Sequence, residues 1–144
     1  VIGDGPCMAD LYLKCVELGL REHIIWYGAV WHKDIVTDII NASDVFVSAS
    51  KYEGFPISIL EGMSYGLPMV LSDIKPHKEI TQGKALFFNL VNGSEEFCNS
   101  IKCLYNDKQL RITLSEESVK LSQLFNLDET IKKHIEVYKS VMNK

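Results

Sequence analysis

Hydrophobic positions in this chain fall into two alternating patterns. Short continuous runs rich in β-branched and aromatic residues occur at Val1-Ile2, Ile24–Tyr27, Val45–Val47, Met69–Leu71 and Ala85–Phe88. Such runs predict buried strands. Between them the apolar residues recur at intervals of three and four. Met8–Leu18 reads as a helix stopped by Gly19, Ile35–Ala42 as a helix carrying Ile35, Ile39 and Ile40 toward the core, and Pro56–Tyr65 as a third. From about Ser94 the chain reads as three more helices. The last, Asp128–Met142, places Ile131, Ile135, Tyr138 and Met142 on one stripe and Lys132, Lys133, Glu136 and Lys139 elsewhere, the pattern of a surface helix docked on a core.

Strands that alternate with helices predict an α/β protein with a parallel sheet, because parallel neighbours need a crossover. The strands are continuously apolar, so helices are expected on both faces, as a three-layer αβα sandwich. In such sheets ligands sit beyond the carboxyl ends of the strands. The informative loops are then residues 3–7, 28–34, 48–56 and 72–78.

At 144 residues one domain is expected, with a core large enough to need no staples. The formal net charge of −4 excludes general electrostatic binding of nucleic acid. The four cysteines, Cys7, Cys15, Cys98 and Cys103, form no CxxC pair and lie in segments that look helical or core-facing. They read as reduced thiols of a cytoplasmic protein. The longest weakly charged run, 54–72, is interrupted by Pro56, Glu61, Gly66 and Pro68, so no transmembrane helix is indicated. The chain opens without methionine on what reads as the end of a strand, and a piece of a longer protein is expected. A Gly-Asp-Gly at 3–5 is followed by Pro6 and lacks the third glycine of a dinucleotide fingerprint. His23, His32, His77 and His134 have no metal-ligand spacing.

The chemistry concentrates in residues 53–68, EGFPISILEGMSYGLP. Pro56 suits a helix start, where the amides of Ile57 and Ser58 would be free to face a phosphate at the positive end of the helix dipole. Glu61 follows in a helix apolar nearly all round, so its carboxylate is expected to be buried and to need a partner. A buried lysine, backbone amides or a vicinal diol such as ribose would each serve. Glu53, ahead of the helix, is placed either to cap it or to accept hydrogen bonds from a sugar.

These residues resemble a known family. EGFPISILEGMSYGLPMVLSD is similar to the signature of the glycosyltransferase group 1 domain, the nucleotide-sugar-binding C-terminal half of GT-B retaining transferases of family 4. VIGDGP at 1–6, IIWYGAV at 24–30, ASDVFVSAS at 42–50, SDIKPHKEI at 72–80 and ALFF at 85–88 extend the resemblance along the chain. It implies a Rossmann-like fold and a single donor-binding domain over 1–144, truncated at its N-terminal edge. Glu53 would be the catalytic-site glutamate contacting the donor hexose, with Gly54, Phe55, Ile57 and Ser58 near the sugar and diphosphate. Glu61 would bind ribose. Tyr27, Gly28, Ala29 and Val30 would hold the base, and Gly3, Asp4 and Gly5 would form a turn bordering the nucleotide.

The resemblance further implies a UDP-sugar or GDP-sugar donor, no metal, no other cofactor, and a carbohydrate or lipid-linked acceptor held by a domain outside this chain. Peripheral membrane association through that domain, at the inner face of the membrane, is compatible with it. The family's diphosphate-gripping Arg and Lys lie upstream of VIGDGP, so residues 1–144 alone are not expected to catalyse transfer. Lys75-Pro76-His77 replaces the family's common glycine pair, a variant similar to enzymes of capsule and other surface-polysaccharide assembly. A non-catalytic nucleotide-sugar-binding or scaffolding module, and a GT-B nucleotide-sugar epimerase, are the alternatives.

Overall fold

Met69, Val70, Leu71 and Ser72 form β2 (Met69–Ser72), and all are 0% exposed in the computed structural model, which describes residues 1–142 apart from the Glu129 side chain. Successive side chains of a strand point to opposite faces, so burial of all four means that both faces are covered. β1 (Phe46–Ser48) and β3 (Leu86–Phe88) flank β2 in a parallel sheet of order β1-β2-β3, with Val47 opposite Val70 and Val70 opposite Leu86. The crossovers are α3 (Ile57–Ser64), between β1 and β2, and α4 (Lys75–Thr81), between β2 and β3.

Each face has its own cover. α3 buries Ile59, Gly62 and Met63, the spacing of one helical stripe. Gly62 lets it approach the sheet: a Cβ there would stand 2.7 Å from Phe46 Cδ2 and 3.1 Å from Met69 Cε. Val70, on the other face, packs with Phe88, Leu104 and Leu114, with Phe97, Ile101 and Leu110 around them. Leu104 comes from α5 (Ser94–Asn106) and Leu114 from α6 (Lys108–Ser122). Between these helices Asp107 caps α6, its carboxylate accepting from the Leu110 amide at 2.8 Å. α6 also reaches the turn after α3. There the buried Ser118 hydroxyl donates to the Leu67 carbonyl at 2.9 Å, and Gly66 takes φ +74°.

The chain forms two compact units, the first Val1–Ala42 and the second beginning at Ser43. The first holds α1 (Met8–Glu17) and α2 (Lys33–Asn41); of the α2 residues expected to face the core Ile40 is buried, whereas Ile35, in the first turn, is 43% exposed. As predicted, Gly19 ends α1 with φ +67°, and the Leu20 amide turns back to the Cys15 carbonyl at 2.9 Å.

Several expectations are corrected. Ile24–Tyr27 is not a ladder strand; it follows a 3-10 turn at Arg21–His23 and pairs through a single parallel bridge, Ile2 to Gly28. It meets Val1–Gly3 through Val1 N to Ile25 O at 2.6 Å, Tyr27 N to Val1 O at 2.9 Å and Gly3 N to Gly28 O at 2.8 Å. Residues 72–78 are not all loop, since α4 begins at Lys75 with Pro76 in its first turn. All four cysteines are free, and only Cys15 is buried. The apolar stripe of α7 (Leu127–Met142) is not docked: Ile131 and Ile135 are 47% and 45% exposed, and Tyr138 and Met142 more so. Periodicity selects which face is apolar, not what covers it.

Candidate functional site

Residues 49–56 leave the carboxyl end of β1 and enter α3 through Pro56 (φ −80°, ψ 81°), the residue before the helix. Having no N–H, Pro56 serves through its carbonyl, which accepts from Ile59 N at 3.1 Å and Leu60 N at 3.2 Å. The Ile57 amide is not free as expected: it turns back to the Phe55 carbonyl at 3.0 Å. The Ser58 amide has no hydrogen-bond partner among the described residues.

With Ile59, Gly62 and Met63 turned to the sheet, the opposite face of α3 carries Ile57, Ser58 and Glu61, all exposed. Residues three and four apart share a helix face, so these side chains are neighbours. Glu61 stands about 8 Å along the axis from Pro56 at ~1.5 Å per residue. Its expected burial is overturned. No ion pair among the described residues engages it, and its carboxylate meets solvent. The apolar composition of α3 misleads because Ile57, counted toward a buried face, is 62% exposed.

Glu53 is half-buried, and Gly54 and Phe55 after it are exposed. The Phe55 ring leans on Phe125 at 5.8 Å between centroids. A cavity of about 130 Å³ opens there, lined by Gly54, Phe55, Pro56, Pro76, Glu79, Ile80 and Phe125. Glu79 holds Lys75 in an exposed pair at 3.6 Å, which adds little to stability. Behind the loop, Ser72 Oγ donates to the Ser50 carbonyl at 2.6 Å, and His77 Nδ1 lies 2.9 Å from the Ser72 carbonyl oxygen. Phe125 and His77 were not legible as site neighbours. Phe125 comes from a distant segment, and nothing in the Lys75-Pro76-His77 run marks His77 as the residue that turns toward Ser72.

In the first unit the structure brings together the stretch expected to hold the base and the turn expected to border the nucleotide. Gly3 and Gly28 are bonded neighbours with φ +129° and +64°, conformations open to glycine. Asp4 Oδ1 accepts from the Gly5 amide at 2.7 Å. Asp4, Gly5, Ala29 and Trp31 line an open cleft of about 700 Å³, with Trp31 90% exposed. On the α1 side, Tyr27 and Gly28 border a second cleft with Met8, Tyr12 and Trp26. Val30 lies half-buried beyond them.

Residues 1–107 match the family model described as glycosyl transferases group 1. The chain belongs to that family. Over 140 residues it is 33% identical to the Escherichia coli UDP-Gal:alpha-D-GlcNAc-diphosphoundecaprenol alpha-1,3-galactosyltransferase, covering 96% of this chain and 35% of that protein. Over 142 residues it is 30% identical to the putative glycosyltransferase EpsD of Bacillus subtilis, covering 98% and 36%. The chain thus spans about a third of these relatives.

Among solved structures, Anabaena HepE in complex with UDP and glucose superposes with a TM-score of 0.85 at 22% identity, covering 96% of this chain and 39% of that one. Sucrose-phosphate synthase from Thermosynechococcus elongatus gives 0.86 at 18% identity, covering 99% and 38%. These likenesses establish the expected α/β fold of the GT-B glycosyltransferases. Among the described residues no helix is long and apolar enough to cross a membrane.

Proposed function

We propose that this chain is the donor-binding domain of a retaining glycosyltransferase that moves a hexose from a nucleoside diphosphate to a glycan or lipid-linked acceptor in surface-polysaccharide synthesis, capsule included. The observation that carries this reading is the exposed face of α3, where Ser58 and Glu61 stand at the carboxyl end of β1 with the Ser58 amide unpartnered. A diphosphate at the helix start meets an amide and the positive end of the dipole. The Glu61 carboxylate accepts from the two ribose hydroxyls. Glu53, half-buried in the preceding loop, accepts from the hexose; Gly54, Phe55 and Ile57 flank the sugar and diphosphate. Tyr27–Val30 hold the base, and the turn Gly3–Gly5 borders the nucleotide.

The chemistry required of these groups is electrostatic. Leaving of the diphosphate builds negative charge on its oxygens, and preorganised donors stabilise that charge without reorganising. The names of the relatives support the reading, one being a UDP-galactose-dependent transferase and one structure holding UDP and glucose. Acceptor binding is assigned to a part of the protein outside these residues. Calorimetry of the 144-residue chain with UDP and with GDP tests the donor assignment. Binding of at least one is expected, and heats indistinguishable from buffer for both would reject it.

A further inference from the structure

His77 is 0% exposed and uses only one of its two ring nitrogens. Nδ1 lies 2.9 Å from the Ser72 carbonyl oxygen and 3.1 Å from Ser72 Oγ. A carbonyl oxygen only accepts, so the ring proton is on Nδ1 and Nε2 is a bare acceptor. Nε2 is buried and, among the described residues, has no partner. An unmatched buried acceptor weakens a fold, and a phenylalanine would fill similar space without one. Packing therefore does not account for an imidazole here; the Nδ1 donor does.

The donor has a direction. The one Nδ1–H faces both the Ser72 carbonyl oxygen at 2.9 Å and Ser72 Oγ at 3.1 Å, and Oγ, accepting a share of it, donates its own hydrogen to the Ser50 carbonyl at 2.6 Å. The three groups come from three places: His77 from α4, Ser72 from the end of β2, and Ser50 from the connection between β1 and α3. Without the imidazole the Ser72 hydroxyl loses the donor that orients it, and its bond to the Ser50 carbonyl is no longer held in one direction. Thr81 Oγ1, donating to the His77 carbonyl at 2.7 Å, steadies the α4 backbone from below. Ser50 is three residues before Glu53. We propose that His77 is a positioning residue: through Ser72 it locks the Ser50 carbonyl, and so sets where the connection carries Glu53. This rests on reading Glu53 as the sugar contact.

Three variants of the 144-residue chain test the assignment: His77→Phe keeps ring volume without the donor, His77→Asn returns an N–H near the Nδ1 position, and Ser72→Ala removes only the hydroxyl. Without ligand, amide hydrogen exchange is compared between residues 49–55 and the β2 amides. His77→Phe and Ser72→Ala are expected to speed exchange in 49–55 by about tenfold with β2 unchanged, and His77→Asn to return it to within about twofold of the parent. Nitrogen NMR of the parent ring is expected to place the proton on Nδ1.

A proton on Nε2, exchange in 49–55 unaltered by Ser72→Ala, or acceleration spread equally into β2 would overturn the proposal. Calorimetry then compares UDP with UDP-glucose. His77→Phe and Ser72→Ala are expected to weaken UDP-glucose more than UDP, whereas equal loss for both would overturn the link to Glu53. A parent chain that binds neither nucleotide refutes the donor assignment, while the ligand-free exchange still decides the His77 lock.

Discussion

Replacing Glu61 with alanine separates a ligand contact from a structural charge, because the structure places this carboxylate on the exposed face of α3 without an ion pair among the described residues. An exposed surface substitution of this kind changes stability by no more than about 0.5 kcal/mol. Hydrogen bonds to a charged group contribute about 1.5–3 kcal/mol each, and solvent competition at an exposed site favours the lower figure. One such bond lost is therefore about a tenfold weaker Kd, and two lost together somewhat more than about a hundredfold.

Calorimetry with UDP on the parent and on Glu61→Ala reads the loss, and thermal unfolding confirms the unchanged fold. Repeating both titrations with 2′-deoxy-UDP closes a cycle. Removing the 2′-hydroxyl should weaken binding to the parent and leave Glu61→Ala nearly unaffected, since the partner is already gone. Parent-like UDP affinity in the variant, or an equal penalty for the deoxy ligand in both proteins, refutes the ribose assignment.

Three further outcomes are expected. Leu104→Ala empties the centre of the cluster on the Val70 face, where Leu104 is 1% exposed, and should cost about 2–5 kcal/mol in denaturant unfolding; an unchanged midpoint would remove Leu104 from the core. Gly66→Ala forces a side chain into φ +74° with its Cβ 3.1 Å from Ser115 Oγ, and should destabilise by about 1–2 kcal/mol in the same assay. In a protein carrying both halves of the enzyme, Glu53→Gln should lower turnover on the order of a hundredfold while nucleotide affinity stays near the parent's. Undiminished turnover would take Glu53 out of the sugar site.

The parallel sheet was readable because β2 is apolar at consecutive positions, a pattern that only double-sided burial explains. The same reasoning failed at Ile24–Tyr27, equally apolar, which makes one bridge, Ile2 to Gly28, because an apolar run does not say how many ladder bonds its neighbour returns. The helix start at Ile57 was legible from Pro56, whose φ and missing N–H have few other uses. The fate of the Ile57 amide was not, since a turn back to Phe55 depends on backbone angles that residue types leave open. Phe125 against Phe55, and His77 behind Ser50, join positions far apart in the chain or on different elements. No local pattern encodes either contact.

The exposure of Glu61 changes why it points to a ligand. A buried carboxylate would need a partner in order to fold, and any lysine would satisfy that need. An exposed one needs nothing from the fold: alanine, serine or glutamine would let α3 pack Ile59, Gly62 and Met63 against the sheet equally well. Folding therefore leaves position 61 unspecified. Its carboxylate, though, shares a face with Ser58, whose amide is unpartnered at the positive end of the helix. A ligand presenting hydroxyls a few ångströms from a diphosphate uses both groups at once, and a nucleoside diphosphate has that arrangement.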